Sequence, residues 1–231
     1  MKSHSELNTV NAKNQLAEKD YVMLEKKEGS TLKILFVGNS ITFHAKKESI
    51  GWHANWGMAA SKKENDYVHK TVSMLEKKFG DVSFGIAQVA AWEREYDTFT
   101  DDEMEKFYGA ARDFNADIIV MRLGENINRE RHSNNSSKPY YDKLVKFFVS
   151  DNTKQVIITD TFWRDFDVIN TMLKNYAFEN DYTFCELKDL SYDERTMALG
   201  LYENGGICVH PGDYGMNKIA ERITERITIS L

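Results

Sequence analysis

Cysteine and proline are both scarce in this sequence, with two of each among 231 residues. Two cysteines cannot form a disulfide-rich scaffold, and in a reducing cytosol we expect Cys185 and Cys208 to be free thiols. A transmembrane helix needs about 20 apolar residues, and the longest aliphatic runs, 34–37 and 118–121, are far shorter. The amino-terminal residues lack the apolar core of a signal peptide, so we expect a cytoplasmic protein without a membrane partner.

Positive charge is in deficit, because 30 Lys and Arg stand against 36 Asp and Glu and give a formal net charge of −6. A general nucleic-acid binder needs a basic face, so a nucleic-acid partner is not expected. Hydrophobic residues make up 42% and aromatic residues 12% of the chain, which is enough to fill a core and excludes global disorder. The length fits one large domain.

From residue 32 onward, short apolar segments alternate with segments of helical periodicity. We interpret residues 1–30 as a polar extension, helical in part, and residues 31–231 as one domain. The apolar segments have the β-branched and aromatic composition of buried parallel strands. They are Leu32–Val37, Val82–Val89, Asp117–Arg122, Gln155–Thr159 and Tyr182–Leu187. The alternation predicts an α/β fold, a three-layer α/β/α sandwich around a five-stranded parallel sheet.

Local signals mark the ends of the predicted helices. Gly80 ends the first helix, and Thr100 with Glu103 forms a capping box at the start of another. Pro139 stands in the first turn of a third helix, and Asp213 is a candidate N-cap for the last. Ligands bind at the carboxyl ends of the strands in such a sheet, so we expect the chemistry in the segments that follow the strands.

The first strand runs directly into Gly38-Asn39-Ser40-Ile41-Thr42. Glycine permits a tight turn, and Ser40 would lie where a following helix presents free backbone N–H groups. Three interpretations fit: a serine that caps a helix, a phosphate cradle of the flavodoxin kind, or a nucleophile whose own N–H stabilises the oxyanion. Neither the P-loop motif nor the G-x-S-x-G elbow is present.

A nucleophilic serine needs a base, and His210 is the candidate. It precedes the last predicted helix, and Pro211 and Gly212 restrict the backbone at this point. A single histidine is more often structural than catalytic, so His210 taken alone does not identify an active site.

The order of three short motifs resembles that of the SGNH (GDSL-type) hydrolases. The motifs are Gly38-Asn39-Ser40 after the first strand, Gly124-Glu125-Asn126 after the third, and His210-Pro211 before the last helix. The resemblance extends over roughly residues 32–231, and it implies a flavodoxin-like α/β/α fold and the hydrolysis of esters, often acyl groups on sugars or lipids. It also implies that Ser40 is the nucleophile, His210 its base, and Asn126 an oxyanion donor beside the Ser40 N–H.

Two positions depart from that family. The family usually has a glycine N–H as a further oxyanion donor after the second strand, and Ala91 is the nearest equivalent here. The family's catalytic Asp stands three residues before the histidine, at the position of Ile207. We therefore predict a Ser-His dyad in which a backbone carbonyl orients His210. The alternatives are another carboxylate, Glu203 or Asp213, or a protein without activity.

Residues near these motifs suggest a surface that binds substrate. All four tryptophans follow predicted strands, and Trp92 and Trp163 are candidates for stacking on sugar rings, although tryptophan also packs loops onto helices. The other candidates for substrate binding are Asn39, Glu93, Arg94 and Glu125. Because acids and arginines alternate locally, ion pairs among them are favoured over an arginine that binds an acidic sugar.

The segment from Phe43 to Asn65 is too long for an ordinary connection and fits a lid or a substrate-binding loop. Its residues His44, Glu48 and His53 match no known spacing of metal ligands, so we predict neither a metal nor a cofactor.

The leading hypothesis is a serine esterase that removes small acyl groups, such as acetyl, from a carbohydrate or another small-molecule ester. One alternative is a flavodoxin-like nucleotide or flavin binder, for which the two hydroxyls of the first turn are few. Another alternative is a catalytically inactive, sugar-binding relative of the hydrolases, because Ile207 replaces the expected acid. The sequence leaves the natural acyl group, the alcohol and the oligomeric state open, a homo-oligomer included.

Overall fold

The computed structural model describes residues 21–229, which are built around a six-stranded sheet. The strands are β1 (Val22–Glu25), β2 (Leu32–Gly38), β3 (Val82–Gln88), β4 (Ile118–Arg122), β5 (Gln155–Thr159) and β6 (Thr183–Cys185). Their order is β1-β3-β2-β4-β5-β6, and all pairings from β3 to β6 are parallel. The parallel strands therefore have the flavodoxin-like order, in which the switch point lies at the carboxyl ends of β2 and β4.

Strand β1 adds an antiparallel edge to the five strands that the sequence predicts. Val22 pairs with Ala87 and Glu25 with Phe84, so residues assigned to a polar extension belong to the sheet. Its four residues are half-buried or exposed, so the strand has no run of buried apolar residues that would reveal it in the sequence. Residues 1–30 are predicted to be helical in part, and residues 1–20 lie outside the described residues.

Helices cover both faces of the sheet. Those within residues 21–229 are α1 (Tyr67–Phe79), α2 (Ala90–Glu95), α3 (Asp101–Asp113), α4 (Arg129–Asn134), α5 (Lys138–Phe148), α6 (Asp167–Glu179), α7 (Gly205–Cys208) and α8 (Asp213–Glu225). Buried side chains of α1 and α8 share one apolar core with the sheet, and those of α3, α5 and α6 share the other. The predicted three-layer α/β/α sandwich is confirmed. None of the helices described is long and apolar enough to cross a lipid bilayer.

The helix ends follow the local signals in most places. Thr100 and Glu103 form the capping box of α3, and Gly80 follows the last residue of α1. Asp213 is not an N-cap: Gly212 holds that position, and Asp213 is the first residue of α8. The Asp213 carboxylate accepts hydrogen bonds from the Ser61 backbone N–H (2.8 Å) and hydroxyl (2.6 Å).

Candidate active site

Ser40 lies in a tight turn directly after β2, at the switch point of the sheet. A Cβ atom on Gly38 would lie 1.9 Å from Thr42 Oγ1 and 2.7 Å from the Arg122 carbonyl oxygen, so only glycine fits there. The Asn39 carbonyl oxygen accepts a hydrogen bond from the Thr42 N–H (2.9 Å), which closes the turn. The Thr42 hydroxyl faces inward and is hydrogen-bonded to Tyr67 Oη at 2.8 Å. Ser40 is half-exposed at the top of this turn.

The hydroxyl of Ser40 lies 2.9 Å from Nε2 of His210, within hydrogen-bonding distance. The other ring nitrogen, Nδ1, lies 2.7 Å from the carbonyl oxygen of Gly206. A carbonyl oxygen only accepts hydrogen bonds, so Nδ1 carries the ring proton and Nε2 of the neutral imidazole is the acceptor. Ser40 therefore donates to His210, the geometry that a general base requires.

Burial keeps His210 neutral. It lowers the pKa of His210 from its usual value to about 4, and electrostatic interactions with His44 and Arg122 act in the same direction. The hydrogen bond to Gly206 opposes this shift because it favours the charged imidazolium. At neutral pH the ring therefore has a free lone pair on Nε2 and can accept a proton from Ser40.

The Gly206 carbonyl occupies the place where a triad has its carboxylate. Ile207, at the position of the family's Asp, is 1% exposed and belongs to an apolar cluster with Trp52 and Met58. The two other carboxylates considered do not serve His210: Glu203 is exposed, and Asp213 binds Ser61. The structure thus brings a backbone carbonyl to His210, as the dyad hypothesis predicts.

Asn126 lies in the loop after β4, and its side-chain amide is held from both ends by consecutive residues of α2. Its Nδ2 donates to Oε2 of Glu93 at 2.6 Å. Its Oδ1 accepts from a guanidinium N–H of Arg94 at 3.4 Å. The amide is half-buried at the carboxyl edge of the sheet, beside the turn that bears Ser40.

Beneath these residues lies a buried charged network. Arg122 and Glu125 form an ion pair in which both side chains are at most 1% exposed. Asn39 Nδ2 donates to Glu125 Oε2 at 2.6 Å and to Glu93 Oε1 at 3.2 Å. Burial and the nearby Glu125 carboxylate raise the pKa of Glu93, and hydrogen bonds from Asn126, Gly124 and Asn39 limit that rise. Sequence spacing alone could not show that these charges are interior.

Burial corrects the assignment of several residues to a substrate-binding surface. Trp92 is 2% exposed and packs beside Tyr96 and Tyr141, so its indole offers no face to a sugar ring. The side chains of three further candidates form the interior polar network instead of a surface; they are Asn39, Glu93 and Glu125. Arg94 is half-buried and contacts Asn126.

Trp163 is the candidate that lies beside the proposed base. Its ring centroid is 5.1 Å from that of His210 in an edge-to-face arrangement. Its indole Nε1 donates to the Val209 carbonyl oxygen at 2.7 Å, which fixes the ring, and the residue is half-buried. Trp163 therefore keeps part of an aromatic surface next to the Ser40–His210 pair.

Ala91 lies in the first turn of α2, whose leading backbone N–H groups have no acceptor within the helix. The preceding N–H, that of Ala90, donates to the Gln88 side chain at 2.9 Å. The N–H of Ala91 thus belongs to the helix end that faces the carboxyl edge of the sheet, as a backbone oxyanion donor would.

The segment after Ser40 is anchored to the segment that bears His210. Trp52 is 2% exposed, packs against Ile207 and Tyr202, and donates from Nε1 to the His44 carbonyl oxygen at 2.9 Å. Asp213 ties Ser61 to the start of α8. Sequence patterns gave no signal for these two tethers. Within residues 21–229, no group of three or more His, Cys, Asp or Glu residues is arranged to hold a metal ion.

Solved structures of similar shape are known, although no protein-family model matches the chain and no curated protein is similar in sequence. An acetylxylan esterase from Geobacillus stearothermophilus has a TM-score of 0.56 and 18% identity, over 89% of this chain and 98% of that one. A mutant of that enzyme, described as an acetyl-xylooligosaccharide esterase, gives the same values. An α/β hydrolase from the metagenome of Lake Arreo, Spain, has a TM-score of 0.56 and 15% identity, over 85% and 95% of the two chains. These likenesses confirm the predicted SGNH hydrolase fold.

Proposed function

We propose that this protein is a serine esterase that hydrolyses small acyl esters, acetyl esters foremost, on a carbohydrate. The observation that carries this proposal is the hydrogen bond of 2.9 Å between Ser40 Oγ and His210 Nε2. The acceptor of the His210 Nδ1 proton, the Gly206 carbonyl, fixes the tautomer that this bond needs. The fold is that of acetylxylan esterases, which supports an acetylated sugar as the substrate class.

In this mechanism, Ser40 Oγ attacks the acyl carbon while its proton moves to His210 Nε2. The carbonyl oxygen becomes an oxyanion, which accepts hydrogen bonds from the Ser40 N–H, the Asn126 side-chain N–H and the Ala91 N–H. His210 then gives its proton to the leaving alcohol oxygen, and an acyl-serine remains. A water molecule, deprotonated by His210, attacks the acyl carbon, and the same proton returns to Ser40 as the carboxylic acid leaves.

The Gly206 carbonyl stabilises the transient imidazolium with a dipole instead of a full negative charge. The carbonyl keeps the tautomer and the orientation of the ring, two of the effects that a triad carboxylate supplies. The low pKa of His210, about 4, makes proton transfer from Ser40 less favourable than in a triad. We therefore expect a working enzyme with a modest turnover number.

A second candidate function is a sugar-binding protein without catalysis, and the missing carboxylate at His210 favours it. The flavodoxin-like alternative has less support, because the Thr42 hydroxyl is bonded to Tyr67 Oη inside the fold. Only Ser40 then presents a hydroxyl at the turn, which is little for a phosphate group.

Hydrolysis assays with matched variants test the proposal. The substrates are p-nitrophenyl acetate and acetylated xylooligosaccharides, and the variants are Ser40→Ala, His210→Ala and Ser73→Ala. Ser73 is an exposed serine on α1 and serves as the control. We expect loss of at least about 10³-fold in kcat for the first two variants and wild-type rates for the third. Hydrolysis that survives in Ser40→Ala would contradict the proposal, and sugar binding without hydrolysis by the wild type would favour the second candidate.

A further inference from the structure

The Glu93 carboxylate accepts hydrogen bonds from several donors around the proposed oxyanion site. Its Oε1 accepts from the backbone N–H of Gly124 at 2.6 Å and, more weakly, from that of Asn126 at 3.4 Å. The same oxygen lies 3.2 Å from Nδ2 of Asn39, the neighbour of Ser40 in the chain. Its other oxygen, Oε2, lies 2.6 Å from Nδ2 of Asn126. One carboxylate therefore links the loop after β4 to the turn after β2.

The charges around Asn126 permit only one orientation of its amide. Glu93 in its carboxylate form only accepts hydrogen bonds, and the Arg94 guanidinium only donates them. If the amide turned over, Oδ1 would face the carboxylate of Glu93 and Nδ2 would face the cation of Arg94. An amide nitrogen has two hydrogens, so the bond to Glu93 leaves the second hydrogen for the oxyanion.

We propose that Glu93, assisted by Arg94, is a positioning residue that fixes the Asn126 amide so that it donates to the oxyanion. The kinetic effect of this role rests on the proposed esterase function, whereas the orientation of the amide does not. Glu93 is 0% exposed and does not reach the substrate itself. Burial and the nearby Glu125 carboxylate oppose its charged form, and the hydrogen bonds from Asn126, Gly124 and Asn39 favour it.

The variant Glu93→Gln removes the carboxylate that orients the Asn126 amide and keeps the volume of the side chain at position 93. Glutamine has one acceptor oxygen, and the Gly124 and Asn39 donors hold it on their side because they meet at Oε1. The glutamine NH₂ then faces Asn126 Nδ2, two donors oppose each other, and the amide turns away from the oxyanion site. Since the side chain has the same shape, the fold is retained, which circular dichroism and a thermal melt verify.

A double-mutant cycle separates positioning from structural support. We expect Glu93→Gln to lower kcat by roughly 10- to 100-fold with KM changed less than about threefold, because an oxyanion donor acts in the transition state. In the Asn126→Ala background, the same change should cost less than about twofold. Asp160→Asn is the matched control: it is a buried carboxylate that accepts from the backbone N–H groups of Leu187 and Lys188, outside the network of Glu93, so its effect should add to that of Asn126→Ala. Additive effects of Glu93→Gln and Asn126→Ala in an active enzyme would overturn the proposal.

The side-chain amide signals of Asn126 test the same point without catalysis. In ¹H–¹⁵N spectra, Asn126→Ala identifies the pair by its loss, and one proton of the pair should be shifted downfield by its bond to Glu93. In Glu93→Gln this shift should disappear. If the wild type hydrolyses no ester but the shift is present and lost as described, the proposed function fails and the positioning role stands. An Asn126 pair that does not respond to Glu93→Gln would overturn the positioning role whatever the activity.

Discussion

Two sides of Ser40 differ in how they are built. On the side of His210, the hydrogen-bond partners are uncharged: the buried ring is bonded to the Ser40 hydroxyl and the Gly206 carbonyl, and Ile207 packs in an apolar cluster. On the side of Asn126, three buried charged residues lie within a few ångströms: Glu93, Arg122 and Glu125. The position beside His210 that holds a carboxylate in a triad therefore holds an uncharged carbonyl. The buried charges lie instead beneath the proposed oxyanion site.

The difference follows from what each side must do. His210 needs only an acceptor at Nδ1 to keep its tautomer, and a backbone carbonyl supplies that without the cost of burying a charge. As the proposed oxyanion donor, Asn126 needs a fixed amide orientation, and opposite charges at its two ends specify that orientation better than neutral partners do. Substitutions on the two sides of Ser40 should therefore have different effects.

Among substitutions that leave Ser40 and His210 in place, the largest expected effect is on the charged side. Asn126→Ala removes the proposed donor to the oxyanion, so we expect kcat to fall about 10²- to 10³-fold with a small change in KM. Asn128→Ala is the control from the same loop, because its Oδ1 accepts from the Arg131 N–H as the cap of α4. That control should lose about 1 kcal/mol of stability and keep its kcat. Equal rates for both variants, measured on p-nitrophenyl acetate, would mean that Asn126 is no donor to the oxyanion.

A charge added to the uncharged side should be harmful. Ile207→Asp places a carboxylate in the apolar cluster of Trp52, Met58 and Ala59, and we expect the free energy of unfolding to fall by about 3 kcal/mol. Ile207→Asn is the neutral control, isosteric with Asp, and its free energy of unfolding should fall by less. Urea denaturation measures both. If Ile207→Asp were as stable as the wild type and hydrolysed esters much faster, the new carboxylate would have replaced Gly206 at His210, and the wild type would lack an effective acid.

The pH dependence of activity and of stability tests the uncharged side at His210, and the expected effect is smaller. With a pKa of about 4 for His210, kcat/KM should fall about tenfold per pH unit below that value and be flat above about pH 6.

The unfolded chain binds the His210 proton with a pKa of about 6.5, so it takes up a proton that the native state lacks as the pH falls from 6.5 to 4. The free energy of unfolding should decrease over that interval, and less so in His210→Gln. A kinetic midpoint near 6.5, the ordinary value for histidine, would contradict the lowered pKa of His210.

The strand and helix patterns were sufficient to predict the sandwich fold, because the four buried strands β2 to β5 and the helices carry a strong apolar signal. Strand β1 escaped prediction because an edge strand of four half-exposed residues has little apolar signal. The motifs also predicted that Ser40 and His210 would meet, although 170 positions separate them in the chain. The positions of the two residues along the chain permitted this prediction, because Ser40 follows the first predicted strand and His210 precedes the last predicted helix.

The surroundings of the dyad were less predictable. A backbone carbonyl such as that of Gly206 has no residue type to mark it, so the sequence could indicate only that some carbonyl would serve. Trp92 follows a strand as Trp163 does, yet the start of α2 turns Trp92 into the core while Trp163 stays beside His210. The direction in which a side chain points after a strand depends on the local helix start, which the composition of the loop does not reveal.

Active-site labelling tests the central claim, a Ser40 nucleophile activated by a dyad without a carboxylate. A fluorophosphonate reacts with an activated serine: Oγ bonds to phosphorus, fluoride leaves, and the base takes the proton. Mass spectrometry of the digested wild type should place one adduct on the peptide that contains Ser40. Labelling should vanish in Ser40→Ala, fall steeply in His210→Ala, and persist in Ile207→Ala. No adduct on Ser40 in the folded wild-type protein, or equal labelling of Ser40 when His210 is absent, would contradict the account.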